Sequence, residues 1–173
     1  GTVTERNLGQ AWSAEYEDFV LNHSVPLVRT LSLITLDRGI AEDAAQEAFL
    51  QLLVHWPRVR AMENPVGWVY RVGINRCRDY RRAIYRAGRA IERIGRSSQG
   101  CRDTQWSSGV EIMSVLATLP RRQRNVAVLF FVAGHSTAEI AYIMGISQGA
   151  VGSHLHRART TLRRILEADY GSE

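Results

Sequence analysis

AEDAAQEAFLQLLVHWPRVRAMENPVGWVYRVGINRCRDYRR, residues 41–82, decides the fold. Its first part carries Ala41, Ala44, Ala45, Ala48, Phe49, Leu52, Leu53 and Trp56 at helical spacing, a wide apolar stripe that belongs against a core. The opposite side of the same helix holds Asp43, Gln46, Glu47, Leu50 and Val54. A purely solvated face has no need of the two aliphatics, so the mixture reads as a docking surface. Pro57 is expected to end this helix. A second helix starts after Asn64, whose side chain can accept first-turn N–H groups, with Pro65 at the next position, where a missing N–H costs little. Two stripes then diverge by roughly 140° at about 3.6 residues per turn. Val66, Val69, Gly73, Cys77, Tyr80 and Ile84 form the packing stripe, which leaves Trp68, Arg71, Asn75, Asp79 and Arg82 free to read a partner.

Upstream, residues 1–11 show no period and are expected to be a loose lead-in. A helix is expected from about Ser13, a plausible cap, with Tyr16, Phe19 and Val20 on one apolar face. Leu27, Val28, Leu31 and Ile34 give another face beyond Pro26. Leu36 to Gly39 is a turn. Downstream of Arg82 the periodicity decays. Four glycines, the run Arg96 to Gly100 and several arginines mark a flexible linker, with a short helix conceivable over 87–94 and Trp106 as its bulky residue.

Periodicity returns at Val110. Ile112, Met113, Val115, Leu116 and Leu119 make a short helix that stops before Pro120, and another starts there. Ser136-Thr137-Ala138-Glu139 fits a capping box and opens a helix that ends at Gly145. Ser147 caps a last helix with the core stripe Val151, Leu155, Ala158, Leu162 and Ile165. A short capped helix, a tight turn and a long helix make a helix-turn-helix, which places the N-terminal part of the long helix in a major groove. The fold class is therefore all-α: two small helical domains joined by a flexible linker, the second a helix-turn-helix. The boundaries are 12–86, 87–109 and 110–168.

Charge is polarised along the 173 residues. The basic residues are all arginine; residues 1–60 hold 5 Arg against 8 Asp and Glu, a net of −3, whereas residues 61–106 hold 10 against 4, a net of +6. An acidic front and a basic middle suit a chain that docks on one partner and holds nucleic acid beside it. Two cysteines are too few for a disulfide scaffold, so reduced thiols in cytoplasm are expected. No run approaches the ~20 apolar residues of a membrane span, so no membrane insertion is expected. His154 and His156 point about 200° apart on a helix and cannot form a metal pair. No metal cluster, cofactor loop or nucleophile arrangement appears, so neither metal nor cofactor is expected and the chain is not read as an enzyme.

Asp43-Ala44-Ala45-Gln46-Glu47-Ala48-Phe49 followed by Asn64-Pro65-Val66-Gly67-Trp68-Val69-Tyr70-Arg71 resembles the first domain of bacterial RNA polymerase sigma factors, the compact extracytoplasmic-function (ECF) group above all. Leu119 to Arg124, Ser136 to Val151 and Leu155 to Arg159 are similar to the second domain of that family, in the same order. The resemblance implies a sigma factor that binds core RNA polymerase and directs promoter-specific initiation, with no catalysis of its own. It implies that Asp43, Gln46, Glu47, Leu50 and Val54 meet the clamp helices of the largest subunit. It assigns Trp68, Arg71, Asn75, Arg78, Asp79 and Arg82 to the minus-ten element, and Ser147, Gln148, Ser153, His154, His156 and Arg157 to the minus-thirty-five element. Further implied partners are the flap of the second-largest subunit, promoter DNA and an anti-sigma factor. Two positions depart from the family: Gly152 stands where relatives usually carry Lys or Arg, and His154 where they often carry Arg. The rival reading is a free-standing helix-turn-helix regulator that acts without polymerase docking.

Overall fold

The computed structural model describes residues 3–92 and 110–170. Most of the expected linker, Cys101 and Trp106 included, lies outside the described residues. Among the described residues the chain forms seven helices: α1 (Val3–Thr35), α2 (Arg38–Val59), α3 (Pro65–Glu92), α4 (Val110–Thr118), α5 (Arg121–Phe131), α6 (Thr137–Met144) and α7 (Gln148–Tyr170). The first three make one helical domain and the last four the other.

α1 and α2 run antiparallel. The Tyr16 hydroxyl donates to Phe49 O at 2.9 Å, and Tyr16 and Phe19 both set their ring edges against Trp56. The turn between the helices places Leu36 in the left-handed region at φ 58°, and Asp37 caps α2 by accepting from Ile40 N at 3.1 Å. α3 lies against both. It starts as the sequence implies, with Asn64 Oδ1 accepting from Gly67 N at 2.8 Å. At Gly73 a Cβ would stand 3.0 Å from Leu31 Cδ1, so the missing side chain lets α3 sit close on α1.

Several expectations are corrected. α1 is one helix from Val3, with no loose lead-in to Ser13 and no break at Pro26. Pro26 and Asn22, the residue whose carbonyl it leaves unpaired, are both exposed, so water replaces the lost bond. The apolar contacts of α1 on α2 then keep both halves on one axis. Ser13 is not a cap; its hydroxyl donates to Glu17 along the helix surface. Pro57 sits inside the last turn of α2, which continues to the buried Val59. Leu53 and Ile84 were placed on packing stripes but are 52% and 55% exposed, because each lies at the rim of its stripe, beyond the reach of the neighbouring helix. α3 also continues straight through 87–92, where a separate short helix was expected.

In the second domain the capping box forms as read: Ser136 Oγ accepts from Glu139 N and Glu139 Oε2 accepts from Ser136 N. Gly145 ends α6 at φ 66°, a conformation that glycine adopts without strain, and Ser147 Oγ accepts from Ala150 N to start α7. Val151, Leu155 and Ala158 of α7 are buried against α5 and α6.

The two domains do not keep separate cores. One cluster of buried apolar residues runs from Leu27, Leu31 and Ile34 of α1 through Val69 and Ile74 of α3 to Val126, Leu129, Ile140 and Ile143 of the helix-turn-helix domain. Tyr70 and Ile74, which lie off the expected packing stripe of α3, are 4% and 3% exposed. A second helical layer covers a face of α3 that the sequence left open.

Candidate nucleic-acid and partner interface

The outward face of α2 carries Asp43, Gln46, Leu50 and Val54 in the exposed state expected of them, with Val54 70% exposed. Leu53 joins them, so three aliphatics stand in water beside an acid and an amide. Glu47 is different. Its carboxylate accepts from Arg76 of α3 at 3.1 Å and from Gln51 at 3.3 Å, which leaves it half-buried and partly neutralised.

The six α3 residues expected at the minus-ten element divide four ways. Asn75 and Asp79 are exposed. Trp68 is half-buried, with its ring edge 6.0 Å from the His55 ring of α2. Arg71 is occupied by the second domain: its guanidinium donates to Tyr142 O at 3.0 Å and stands 5.0 Å over the Tyr142 ring. Arg78 and Arg82 face a cleft between α3 and α5. The structure thus does not bring the six into one open surface. Cys77 is buried beneath them, and burial pushes its thiol up to about 12, so it stays protonated and has a packing role.

On α7, Ser147, Gln148, Ser153, His156 and Arg157 are exposed near the helix start, and Gly152 among them has open space around it. His154 does not project freely. It is half-buried, with Nδ1 out of solvent and without a partner.

Arg124, to which sequence reading assigned no role, is a buried polar tie across the two domains. Only 5% exposed, it donates from Nε to Ile34 O at 3.1 Å and from Nη1 to Leu116 O at 3.4 Å. Burial comes first, then the nearby Arg81 and Arg121, in lowering its pKa below the ordinary arginine value. His135 is another buried polar group here, 8% exposed and edge-on to Tyr70 at 4.6 Å. Its Nδ1 lies 3.7 Å from the Glu139 carboxylate, too long for a hydrogen bond, and the two make a charge contact only when His135 is protonated. Burial lowers the His135 pKa and Glu139 only partly offsets it.

Comparison with known proteins fits this architecture. Residues 19–87 match the family described as Sigma-70 region 2, and residues 109–162 match Sigma-70, region 4. The chain is 30% identical to RNA polymerase sigma-E factor of Streptomyces coelicolor over 154 residues, covering 89% of this chain and 87% of the relative. It is 28% identical to ECF RNA polymerase sigma factor SigM of Mycobacterium tuberculosis over 87% of this chain and 76% of that protein. Among solved structures, the sigma factor RpoE in complex with the anti-sigma factor NepR from Bartonella quintana superposes with a TM-score of 0.76. At 20% identity over 90% of this chain and 98% of that one, it shows a shared fold. CnrH in complex with the cytosolic domain of CnrY gives 0.62 at 26% identity, over 93% and 95% of the two chains.

Fold and match together define a two-domain initiation factor of the bacterial RNA polymerase. The chain belongs to the sigma-70 family, in its ECF group. As such it binds core RNA polymerase and directs promoter-specific initiation. Sigma factors are non-catalytic initiation factors. No helix among the described residues is long and apolar enough to cross a membrane.

Proposed function

We propose that the outward face of α2 is the polymerase-docking surface, that α3 reads the minus-ten element, and that the start of α7 reads the minus-thirty-five element. The observation that supports this reading best is the exposed row Leu50, Leu53 and Val54 beside Asp43 and Gln46, since apolar groups in such a row gain by being covered. The clamp helices of the largest subunit are the partner assigned to it. Asn75 and Asp79 then read base edges while Arg82 neutralises phosphate. Ser153, His156 and Arg157 are the minus-thirty-five contacts that α7 leaves most open, with Ser147 and Gln148 at its N-terminus. The flap of the second-largest subunit is assigned to the helix-turn-helix domain, where Phe131, Leu162 and Leu166 line an open apolar groove of about 550 Å³.

RpoE and CnrH are each seen with an anti-sigma factor or its partner domain, and we assign an anti-sigma partner to this chain as well. The chain works in the cytoplasm and has no enzymatic activity in this reading. A free-standing regulator is not favoured, because it has no use for a region 2 domain.

Docking is tested with the double variant Asp43→Arg, Leu50→Ala, which leaves Glu47 on Arg76. Its helical content should match the parent chain, while capture of core polymerase should fall about 100-fold, a loss the size of a two-residue hot spot. Wild-type affinity in the folded variant would remove α2 as the docking face.

A further inference from the structure

A cleft of about 640 Å³ opens between the C-terminal half of α3, the turn from α1 to α2 and the start of α5. Arg78, Arg81 and Arg82 enter it from the first domain and Arg121 from the second, and its apolar wall includes Ile84 and Tyr85. Asp37 is the one carboxylate in the lining, and one of its oxygens is spent on capping α2. Among the described residues, no ion pair joins a carboxylate to any of the four arginines. Like charges therefore face one another. After burial, the nearest causes that lower the Arg121 pKa are Arg81, Arg122 and Arg82. α5 adds to the field, because Pro120 precedes it and provides no side-chain cap, which leaves first-turn N–H groups unpaired at its positive end.

Four guanidiniums around one cleft, drawn from both sides of a domain boundary and set against a single carboxylate, make a strongly positive concave surface. We propose that this cleft binds a polyphosphate, whose successive phosphates are held by Arg78, Arg81 and Arg82 on one side and Arg121 on the other. The guanidinium fork suits this ligand, since each can take two oxygens of one phosphate. The arginines come from both α3 and α5, and a chain of phosphates can span from one to the other. The volume falls in the range of small-molecule sites, about 300–1,000 Å³. Two sources share this chemistry: a free polyphosphate chain, and the phosphate tail of a nucleotide. Tyr85, 66% exposed at the rim with Arg89 5.8 Å over its ring, has an aromatic face to stack on the base of a nucleotide and only its hydroxyl to offer a free chain. Because the ligand touches both domains, it favours the closed arrangement by mass action.

The site stands apart from the surfaces proposed above in two of its four arginines. Arg81 and Arg121 have no assigned contact with promoter or polymerase, so their removal tests the cleft without touching that reading. Inorganic tripolyphosphate and ATP are titrated into the full chain by calorimetry at about 0.15 M salt, where long-range attraction is screened beyond ~8 Å. Arg81→Ala and Arg121→Ala are each compared with Arg58→Ala, an exposed arginine of α2 that changes net charge equally. Saturable one-to-one binding is expected, weakened about tenfold or more by either cleft substitution and unchanged by Arg58→Ala. The thermal midpoint should rise with ligand in the parent chain and not in Arg121→Ala. If ATP binds more tightly than tripolyphosphate, and Tyr85→Phe keeps the difference while Tyr85→Ala removes it, the source is a nucleotide; equal binding of the two probes identifies a free chain. No saturation by either probe at millimolar concentration, or equal weakening by Arg58→Ala, overturns the site.

Discussion

The seam between the two domains has two ends built on opposite principles. At the α3–α6 end polar and aromatic groups meet across the seam: Asn64 Nδ2 approaches Glu139 Oε1 at 3.4 Å, Arg71 rests on Tyr142, and the Tyr70 ring meets His135 edge-on, with His135 Nε2 the one buried atom among them left without a hydrogen-bond partner. At the α3–α5 end Arg81 and Arg121 face one another across an open cleft, with Arg124 buried behind them. The first end closes by fit. The second carries like charge on both sides of its cleft, and behind the cleft it is held by Arg124 at the end of α1 and by the apolar packing of α5 on α1. The contrast explains why a cavity lies at one end of the seam and a continuous apolar core at the other. It also bears on promoter reading: Arg71 can meet DNA only once α6 has moved off it, whereas Asn75 and Asp79 are exposed already.

Breaking the Arg124 tie tests the arginine end and carries the largest effect on stability. Arg124→Met keeps the volume and removes the charge, but leaves Ile34 O and Leu116 O without their donors in a buried place. The expected loss is about 2–3 kcal/mol, since hydrogen bonds to charged groups are worth roughly 1.5–3 kcal/mol each and relief of repulsion with Arg81 and Arg121 returns part of it. It is read as a lower urea midpoint together with faster amide exchange at the end of α1. Arg124→Lys should not rescue it, because a single ammonium lacks the fork that reaches two carbonyls. An unchanged midpoint in Arg124→Met would show that apolar packing alone holds this end.

What the sequence could and could not disclose divides along the same seam. The Ser136 capping box, the Ser147 cap, the Asn64-Pro65 start and most of the stripes of α2 and α7 are local patterns, settled by residues within a turn or two of each other, and these formed as read. Leu53 and Ile84 failed because a stripe's period does not say where its rim lies. The extension of α1 through Pro26 failed because tertiary contacts override a local breaker that water can satisfy. Burial of Tyr70, Ile74 and Arg124 was out of reach for another reason. Each depends on which surface of a distant segment lands on it, and nothing within ten residues records that. The same holds for Arg71: its spacing puts it on the reading stripe of α3, and only the position of α6 shows that Tyr142 occupies it. For the exposed candidates on α2, α3 and α7, sequence pattern supplies the residue types and the structure supplies their exposure; their roles await the binding tests.

Acid sharpens the comparison from the other end, with a smaller effect. His135 is neutral in the fold, because burial lowers its pKa more than the Glu139 carboxylate raises it. Glu139 itself stays ionised, its pKa lowered first by the hydrogen bond from the Ser136 backbone, and Tyr70 and Asn64 carry no charge in this range. A histidine with a folded pKa below its unfolded value of about 6.5 contributes stability that is complete above that pH and lost as pH falls through it. The thermal midpoint of the chain should therefore fall between about pH 7 and pH 5, and His135→Phe, which keeps the ring against Tyr70, should flatten that part of the profile. Identical profiles for the two proteins would place the acid sensitivity elsewhere.

The smallest expected effect lies outside the seam and serves as its control. Gly152 sits in the first turns of α7, exposed, with no atom within 4 Å of the position a Cβ would take. Neither a turn nor a close neighbour requires glycine there, so Gly152→Ala should stabilise the chain by roughly 0.5–1 kcal/mol through helix propensity alone. Amide exchange at α3, α5 and α6 should stay as it was. The substitution also separates two accounts of the weakly charged start of this helix. If glycine serves close approach of the helix backbone to DNA, the added methyl weakens promoter binding while stability rises. If the minus-thirty-five contact is weak because Gly152 and His154 together forgo two cations, Gly152→Ala leaves binding unchanged and Gly152→Arg tightens it, with a salt slope steeper by about 1 for the added phosphate contact. The second outcome is expected: His154 is half-buried and cannot supply the missing charge, which makes an arginine one turn into the helix a gain. Weaker binding by a well-folded Gly152→Arg chain would decide for close approach.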